Sequence, residues 1–497
     1  MSKYDKYVAH MRKIADVGHS IAVLSWDKEV NLPKNGAAIR GQQVSTLSGI
    51  SHELFTRESF GELLNELMTD ESLDAKQSKN VQVTQREYDK ATKFDEAFVI
   101  QRSKLISTAY HAWLTAQEAN DFSKYIPALS DLVDIKREEA GILGYDDHPY
   151  DALLDLYEPG SKVATLDPLF EDVRNELVPF IKKIRQASQV DHSFLKQYYD
   201  KDKQWEFGLK LLREMGYDFE SGRQDLSPHP FTITFSSQDV RVTTRIDEHD
   251  FANMCWSCIH EGGHALYEQG TKIIDYGLPT GGAISLGIHE SQSRLWENHV
   301  GRSKEYWEHY YGELQRLFPD NLGNVSLDQF YTGINRVAPN FIRTEADELH
   351  YHFHVMIRYE LEKRLINGDL PVNDLKHEWN SLYEKFLAVQ IPDDNRGILQ
   401  DVHWAHGSFG YFPTYSIGSF YAAQFFSEAV HSIPDLKTKI SDGDTSELLD
   451  WLRKNIHQHG RLYEAEELCV KLTGEKLNFK YFMDYAKKKY NDIYNLN

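Results

Sequence analysis

The stretch Asp250–Gly270 reads DFANMCWSCIHEGGHALYEQG. Polar residues open it, apolar residues recur through it, and Gly270 stands where a helix C-cap is expected, so a helix is predicted. Inside it lies His260–Glu261–Gly262–Gly263–His264, the pattern H-E-x-x-H. Side chains at i and i+4 leave a helix on one face, so both imidazoles reach one tetrahedral ion. Glu261 is offset from that face, too far round to ligate and near enough to take a proton from water at the ion. Gly262 and Gly263 lower helix propensity; they make sense where another part of the chain must approach the helix closely. With 22 histidines in the chain, an H-E-x-x-H arises by chance on the order of once in ten to twenty such sequences. The pattern therefore needs a third ligand at sensible range.

Glu290 is that candidate, in the run IHESQSRLWE from Ile288 to Glu297. A second helix starting near Gly287 and packing antiparallel on the first brings Glu290 to the ion, with Gly277, Gly281, Gly282 and Gly287 supplying the turn-back. Two His and one Glu leave a fourth position open, as a catalytic zinc site requires. Glu297 and His289 are nearby rivals, ranked below Glu290. Cys255 and Cys258 form a C-x-x-C just upstream. On a regular helix they lie roughly 140–160° from the His260–His264 face, so they read as buried small hydrophobes.

Immediately before this helix, Phe231–Phe235 and Val240–Ile246 alternate with period two around the polar turn Ser236–Asp239, which predicts a β-hairpin. A strand edge beside a metal site would hold an extended peptide by main-chain hydrogen bonds; a small structural sheet is the competing reading. Elsewhere apolar residues recur at helical spacing, as in Lys3–Ala15, Leu166–Gln186, Asp347–Leu365 and Asn380–Gln390. Pro and Gly are read as lying between such segments, and no long linker divides the chain. A single mainly α domain over residues 1–497 is expected: a helical N-terminal part to about 225, a metal-site part over about 226–420, and C-terminal helices over about 421–497.

The 497 residues are 41% hydrophobic and 26% charged, with 55 Lys plus Arg against 76 Asp plus Glu, a net charge of −21. So acidic a chain disfavours nucleic acid and anionic membrane surfaces as partners. Three cysteines suit a reducing compartment. The first residues lack the apolar core of a secretory signal and no apolar run is long enough to span a bilayer, so a cytoplasmic address is expected.

Several blocks in order then point to a known family: Trp26–Asp27 with Leu32–Pro33, YDALLDLYEPG from Tyr150, His229–Pro230–Phe231, DVRVTTR from Asp239, HEGGHALYEQG from His260, HESQSRLWEN from His289, IRTEADELHY from Ile342, GILQDVHW from Gly397 and GYFPTY from Gly410. Over nearly its whole length the sequence resembles the thermostable carboxypeptidase (carboxypeptidase Taq, M32) family of H-E-x-x-H metallocarboxypeptidases. The resemblance implies a large helical, saddle-like fold with a deep groove and a homodimer. It implies removal of C-terminal residues from peptides with broad preference, poor where proline is terminal, with one divalent ion per chain, zinc or else cobalt. Carried over by position, His260, His264 and Glu290 are ligands and Glu261 the general base.

An exopeptidase at the C-terminus must recognise a free carboxylate, for which the planar fork of arginine is suited. Arg343, in the Ile342 block, is the candidate; an ion pair with Asp347 or Glu348 on one helix face is the alternative. His229 and Tyr411 are candidate donors to the oxyanion, with His403 lining the same groove or serving as core. A helical oligoendopeptidase using the same ligands is the nearest rival activity, and a non-catalytic zinc-stabilised peptide binder a more distant one, disfavoured by an intact Glu261.

Overall fold

The computed structural model describes residues 1–496. Helices dominate, joined by one three-stranded sheet. The chain divides into two compact units, each built from three separate stretches. The first takes Met1–Ala91, Asp191–Ile334 and Tyr421–Leu477; the second takes Thr92–Val190, Asn335–Phe420 and Asn478–Asn497. The sequence-based partition at about 225 and 420 cuts across these units, because residues 226–420 feed both. No helix among the described residues is long and apolar enough to cross a membrane.

In the first unit, α1 (Lys3–Val30) leads, α2 spans Lys201–Met215, and strands β1 (Gly222–Leu226), β2 (Thr232–Ser236) and β3 (Asp239–Thr244) follow. The expected hairpin is β2–β3, antiparallel with a bulge between Thr234 and Ser236. The third strand, β1, pairs parallel to β3. GRQDL has no β-branched residue, and pairing to a strand distant in sequence makes it a strand despite its propensity. Trp26 of α1 lies against the guanidinium groups of Arg241 (4.4 Å) and Arg223 (5.4 Å), a cation–π stack on the sheet.

Next come α3 (Phe251–Gln269) and α4 (Leu286–Arg294), the latter running into a π-helical turn, Leu295–Gly301. Ser285 caps α4 through Ile288 N–H (3.1 Å). Contacts run in opposite order along α3 and α4. His260 meets Glu297, His264 meets His289 and Tyr267 reaches Ile284, so the two helices are antiparallel as expected. Gly270 does end α3, but at a right-handed φ of −82°. It is needed for space, since a Cβ there would come within 2.5 Å of the His457 ring. Cys255 and Cys258 are fully buried and their thiol pKa values are pushed up by burial, that of Cys258 to about 12.

The second unit contains α5 (Tyr351–Asn367). The expected helix from Asp347 starts four residues late, because the Asp347 carboxylate accepts from the Leu349 and His350 N–H groups and holds a capping turn. Asn380–Gln390 becomes Leu375–Leu387, stopped by Ala388 in the left-handed region. The helix Val163–Gln186 carries Pro168 and Pro179 within it, so proline is not confined to connections.

On α5, Glu362 is fully buried and accepts from Tyr150 Oη (2.5 Å), Trp404 Nε1 (2.7 Å) and Gly410 N–H (2.8 Å). Burial pushes its pKa up to about 7. The folded chain thus holds a proton that the unfolded chain releases above about pH 4.3. Stability consequently falls between about pH 4.5 and 7 and is independent of this group above that. Glu362→Gln is expected to remove this proton-linked part, on the order of 2–3 kcal/mol, so the melting-temperature drop from pH 5 to pH 8 shrinks. Superimposable pH profiles for the two proteins would refute it.

Candidate metal centre

The centre is assembled within the first unit. His260 and His264 leave α3 on one face, and the ligand atoms of His260, His264 and Glu290 all lie within 4.8 Å of one another. The Glu290 Oε2 atom is 3.4 Å from His264 Nε2 and 3.7 Å from His260 Nε2. These separations are long for hydrogen bonds. They are close to the roughly 3.3–3.6 Å between neighbouring ligand atoms around a tetrahedral ion bonded at about 2.0–2.2 Å. The donor set therefore fits a zinc-type divalent cation.

His260 and Glu290 are each oriented by a hydrogen bond from behind, whereas His264 Nδ1 is buried with no hydrogen-bond partner among the described residues. The other ring nitrogen of His260, Nδ1, is 2.9 Å from Glu297 Oε2, which points Nε2 at Glu290. Glu297, expected as a rival ligand, instead sits seven residues beyond Glu290 on the same face and acts on His260. Arg294 lies between them, donating from Nε to Glu290 Oε1 (2.7 Å) and from Nη1 to Glu297 Oε2 (3.2 Å). Against the upward push of burial, Arg294 and His260 hold the Glu290 carboxyl well below its usual range. Burial, with His289 beside it, draws His264 down to about 3, leaving the neutral imidazole a metal requires. His289, the other rival, stacks on His264 (centroids 4.4 Å apart) and its Nε2 pairs with Glu268 Oε1 at 2.9 Å.

Glu261 is buried and outside this donor triangle. Thr232 Oγ1 of β2 donates to Glu261 Oε2 at 2.7 Å and also lies 3.0 Å from its carbonyl, so the strand fixes the carboxylate. Burial raises the Glu261 pKa, partly offset by His260 and Thr232. The two glycines are explained by approach on both sides. A Cβ on Gly263 would lie 2.7 Å from the carbonyl oxygen of Gln292 and from Ser293 Cα in α4; a Cβ on Gly262 would meet only the ends of Leu212 and Met215 of α2. Gly263→Ala should therefore force α4 off α3, costing about 1–3 kcal/mol by overpacking and weakening metal binding. Gly262→Ala should leave metal affinity near wild type. Titration of both variants with a chromophoric chelator checks this, and equal affinities would refute it.

His229 is exposed in the connection between β1 and β2, with its carbonyl accepting from Ser227 Oγ (2.7 Å). The remaining candidates lie in the second unit. Arg343 is buried in a short turn, not on a helix face, and its partner is Asp401, with Nε at 3.1 Å and Nη2 at 3.0 Å. The expected alternative, pairing with Asp347 or Glu348, is overturned. Asp347 binds His350 (2.6 Å), and Glu348 takes Lys489 (3.0 Å) and Tyr490 (2.9 Å). Arg358 shares Asp401 (2.6 Å), and against burial the two guanidinium groups hold that carboxyl far below its usual range. His403 packs on Phe412 and Tyr411 (4.4 and 5.3 Å) with Nε2 3.1 Å from Tyr415 Oη. Burial, then Arg343, draws its pKa to about 3. Tyr411 is half-buried against Tyr157 (5.2 Å).

Glu297, Arg294, Thr232 and Asp401 were not singled out as partners from the sequence. The spacing Glu290, Arg294, Glu297, one helix face at steps of four and three, signals the first two; no local pattern signals Thr232 or Asp401.

The profile of the carboxypeptidase Taq (M32) metallopeptidase family matches residues 6–490. Carboxypeptidase 1 of Bacillus subtilis (strain 168) is 39% identical over 488 residues, covering 97% of each chain. The solved structure of a protein called CHT is 55% identical with a TM-score of 0.97 over 99% of each chain. That of an M32 carboxypeptidase from Deinococcus radiodurans R1 is 37% identical with a TM-score of 0.98 over 100% of each. With H-E-x-x-H on α3 and full-length agreement in both sequence and fold, the chain belongs to the carboxypeptidase Taq (M32) metallopeptidase family and is a metal-dependent carboxypeptidase.

Proposed function

We propose that His260, His264 and Glu290 ligate the catalytic ion and that Glu261 is the general base in broad-specificity removal of C-terminal residues. The observation that carries this is the donor triangle with its 3.4 and 3.7 Å separations, beside a buried carboxylate that is not part of it. A divalent ion bound there supplies a Lewis acid that polarises the scissile carbonyl and acidifies water. Glu261, aligned by Thr232, takes the proton of the attacking water and delivers it to the departing amine. Glu297 holds the His260 ring in register and Arg294 keeps Glu290 ionised. Arg343 is assigned the substrate's terminal carboxylate, its fork oriented by Asp401. His229 and Tyr411 are assigned as donors to the oxyanion, with His403 lining the same site. Zinc is the proposed ion, cobalt being compatible with the same donors. A cytoplasmic homodimer is proposed with it, in keeping with the family and with three free thiols.

The test is a peptide pair identical except for a free or amidated C-terminus, incubated with metal-loaded protein and followed by mass spectrometry. Stepwise loss of single residues from the free form alone is expected. Equal internal cleavage of both forms would overturn the assignment of a carboxylate clamp.

A further inference from the structure

A cavity of about 250 Å³ lies in the first unit between α1, the β2 strand with its turn, and the loop that follows α3. Its polar wall includes His19, Thr234, Ser236, Ser237, Glu268 and Tyr276. Two features tie it to the metal centre. Glu268 bonds His289, whose ring stacks on the ligand candidate His264. β2 also leads from the centre to the cavity, with Thr232 on the Glu261 carboxylate and Thr234 and Ser236 in the cavity wall.

Strand geometry says how a peptide would use that path. Thr243 N–H donates to the Phe231 carbonyl (2.9 Å), so the alternate residues Thr232 and Thr234 turn their backbone groups away from β3. An extended peptide laid on that edge advances about 3.3 Å per residue. From Thr232 to Thr234 and Ser236 is thus about 7–13 Å, which spans two to four substrate residues.

The charges say which chemical group is taken. No lysine or arginine among the described residues forms an ion pair with Glu268, whose side chain is 14% exposed. Asp16, next to the wall, accepts from Tyr276 Oη (2.9 Å), and that hydroxyl also contacts His19 Nδ1 (3.0 Å). Asp275 nearby is already neutralised by Lys76 (2.5 Å). Lys272 also lines the cavity but is exposed.

We propose that this cavity is a substrate subsite that selects a primary ammonium group, a lysine side chain or a free N-terminal amine, two to four residues before the scissile bond. The proposal rests on the reading of His260, His264 and Glu290 as the catalytic centre.

The test compares kcat/KM of metal-loaded protein on acetylated peptides carrying lysine or norleucine at the second, third or fourth position before the scissile bond. A second arm compares short peptides with free and acetylated N-termini. Wild type is expected to favour the ammonium about tenfold at one position or in the short free-amine peptides, as for a partly screened charge-assisted hydrogen bond. The positive arm identifies side chain or terminus. In Glu268→Gln the ratio should fall to about twofold or less, and in Asp16→Asn, an exposed position that does not threaten folding, it should fall part of the way. Cleavage of all peptides without discrimination, or discrimination that survives in both variants, overturns the subsite while leaving the carboxypeptidase reading intact. If no peptide is cut, both fall together.

Discussion

Glu261→Gln is expected to lower turnover of a free-ended peptide by about 10³–10⁴-fold, the upper range for losing a general base, while one metal ion per chain is retained. Glutamine preserves the volume and an acceptor for Thr232 Oγ1, which holds the native carboxylate at 2.7 Å. The donor triangle does not include Glu261, so no proposed ligand is removed. What disappears is the group proposed to take a proton from water and return it to the amine. Peptide digestion by mass spectrometry, with metal content after gel filtration, reads both quantities. Residual activity above a tenth of wild type, or loss of the ion, would show that Glu261 has another role.

The second large effect belongs to Glu290. Glu290→Ala should abolish detectable turnover and weaken metal binding by more than the roughly 10–100-fold that losing an outer-layer partner costs. It removes the oxygen facing both Nε2 atoms and takes from the half-buried Arg294 its 2.7 Å carboxylate partner. Glu297→Gln provides the contrast. It keeps an acceptor for His260 Nδ1 but removes the charge that pairs with Arg294 (3.2 Å) and Arg302 (3.1 Å), and it replaces no proposed ligand, so metal affinity should fall within that 10–100-fold range and some activity should survive. Chelator competition on the two variants decides between them. Outright metal loss in Glu297→Gln with normal affinity in Glu290→Ala would exchange the two roles.

The sequence by itself determined a mainly helical chain, the helix bearing His260, Glu261 and His264, the hairpin before it, the antiparallel return carrying Glu290, and the burial of Cys255 and Cys258. These rest on local rules: i, i+4 spacing, period-two alternation and capping residues act over a few positions and are written in order along the chain. Even the reason for Gly263 was legible as a close approach, although not the identity of the neighbour, the backbone of Gln292 and Ser293. Only the tertiary structure decided matters of partnership. It gave Arg343 to Asp401 instead of Asp347 or Glu348, made Glu297 the support of His260, and turned GRQDL into a strand. It also interleaved three stretches of chain in each compact unit. The physical reason is that a guanidinium or a strand edge is satisfied by whichever group packing brings within about 3 Å. Fifty-eight residues separate Arg343 from Asp401, a distance over which no periodicity carries information and only the packed core chooses.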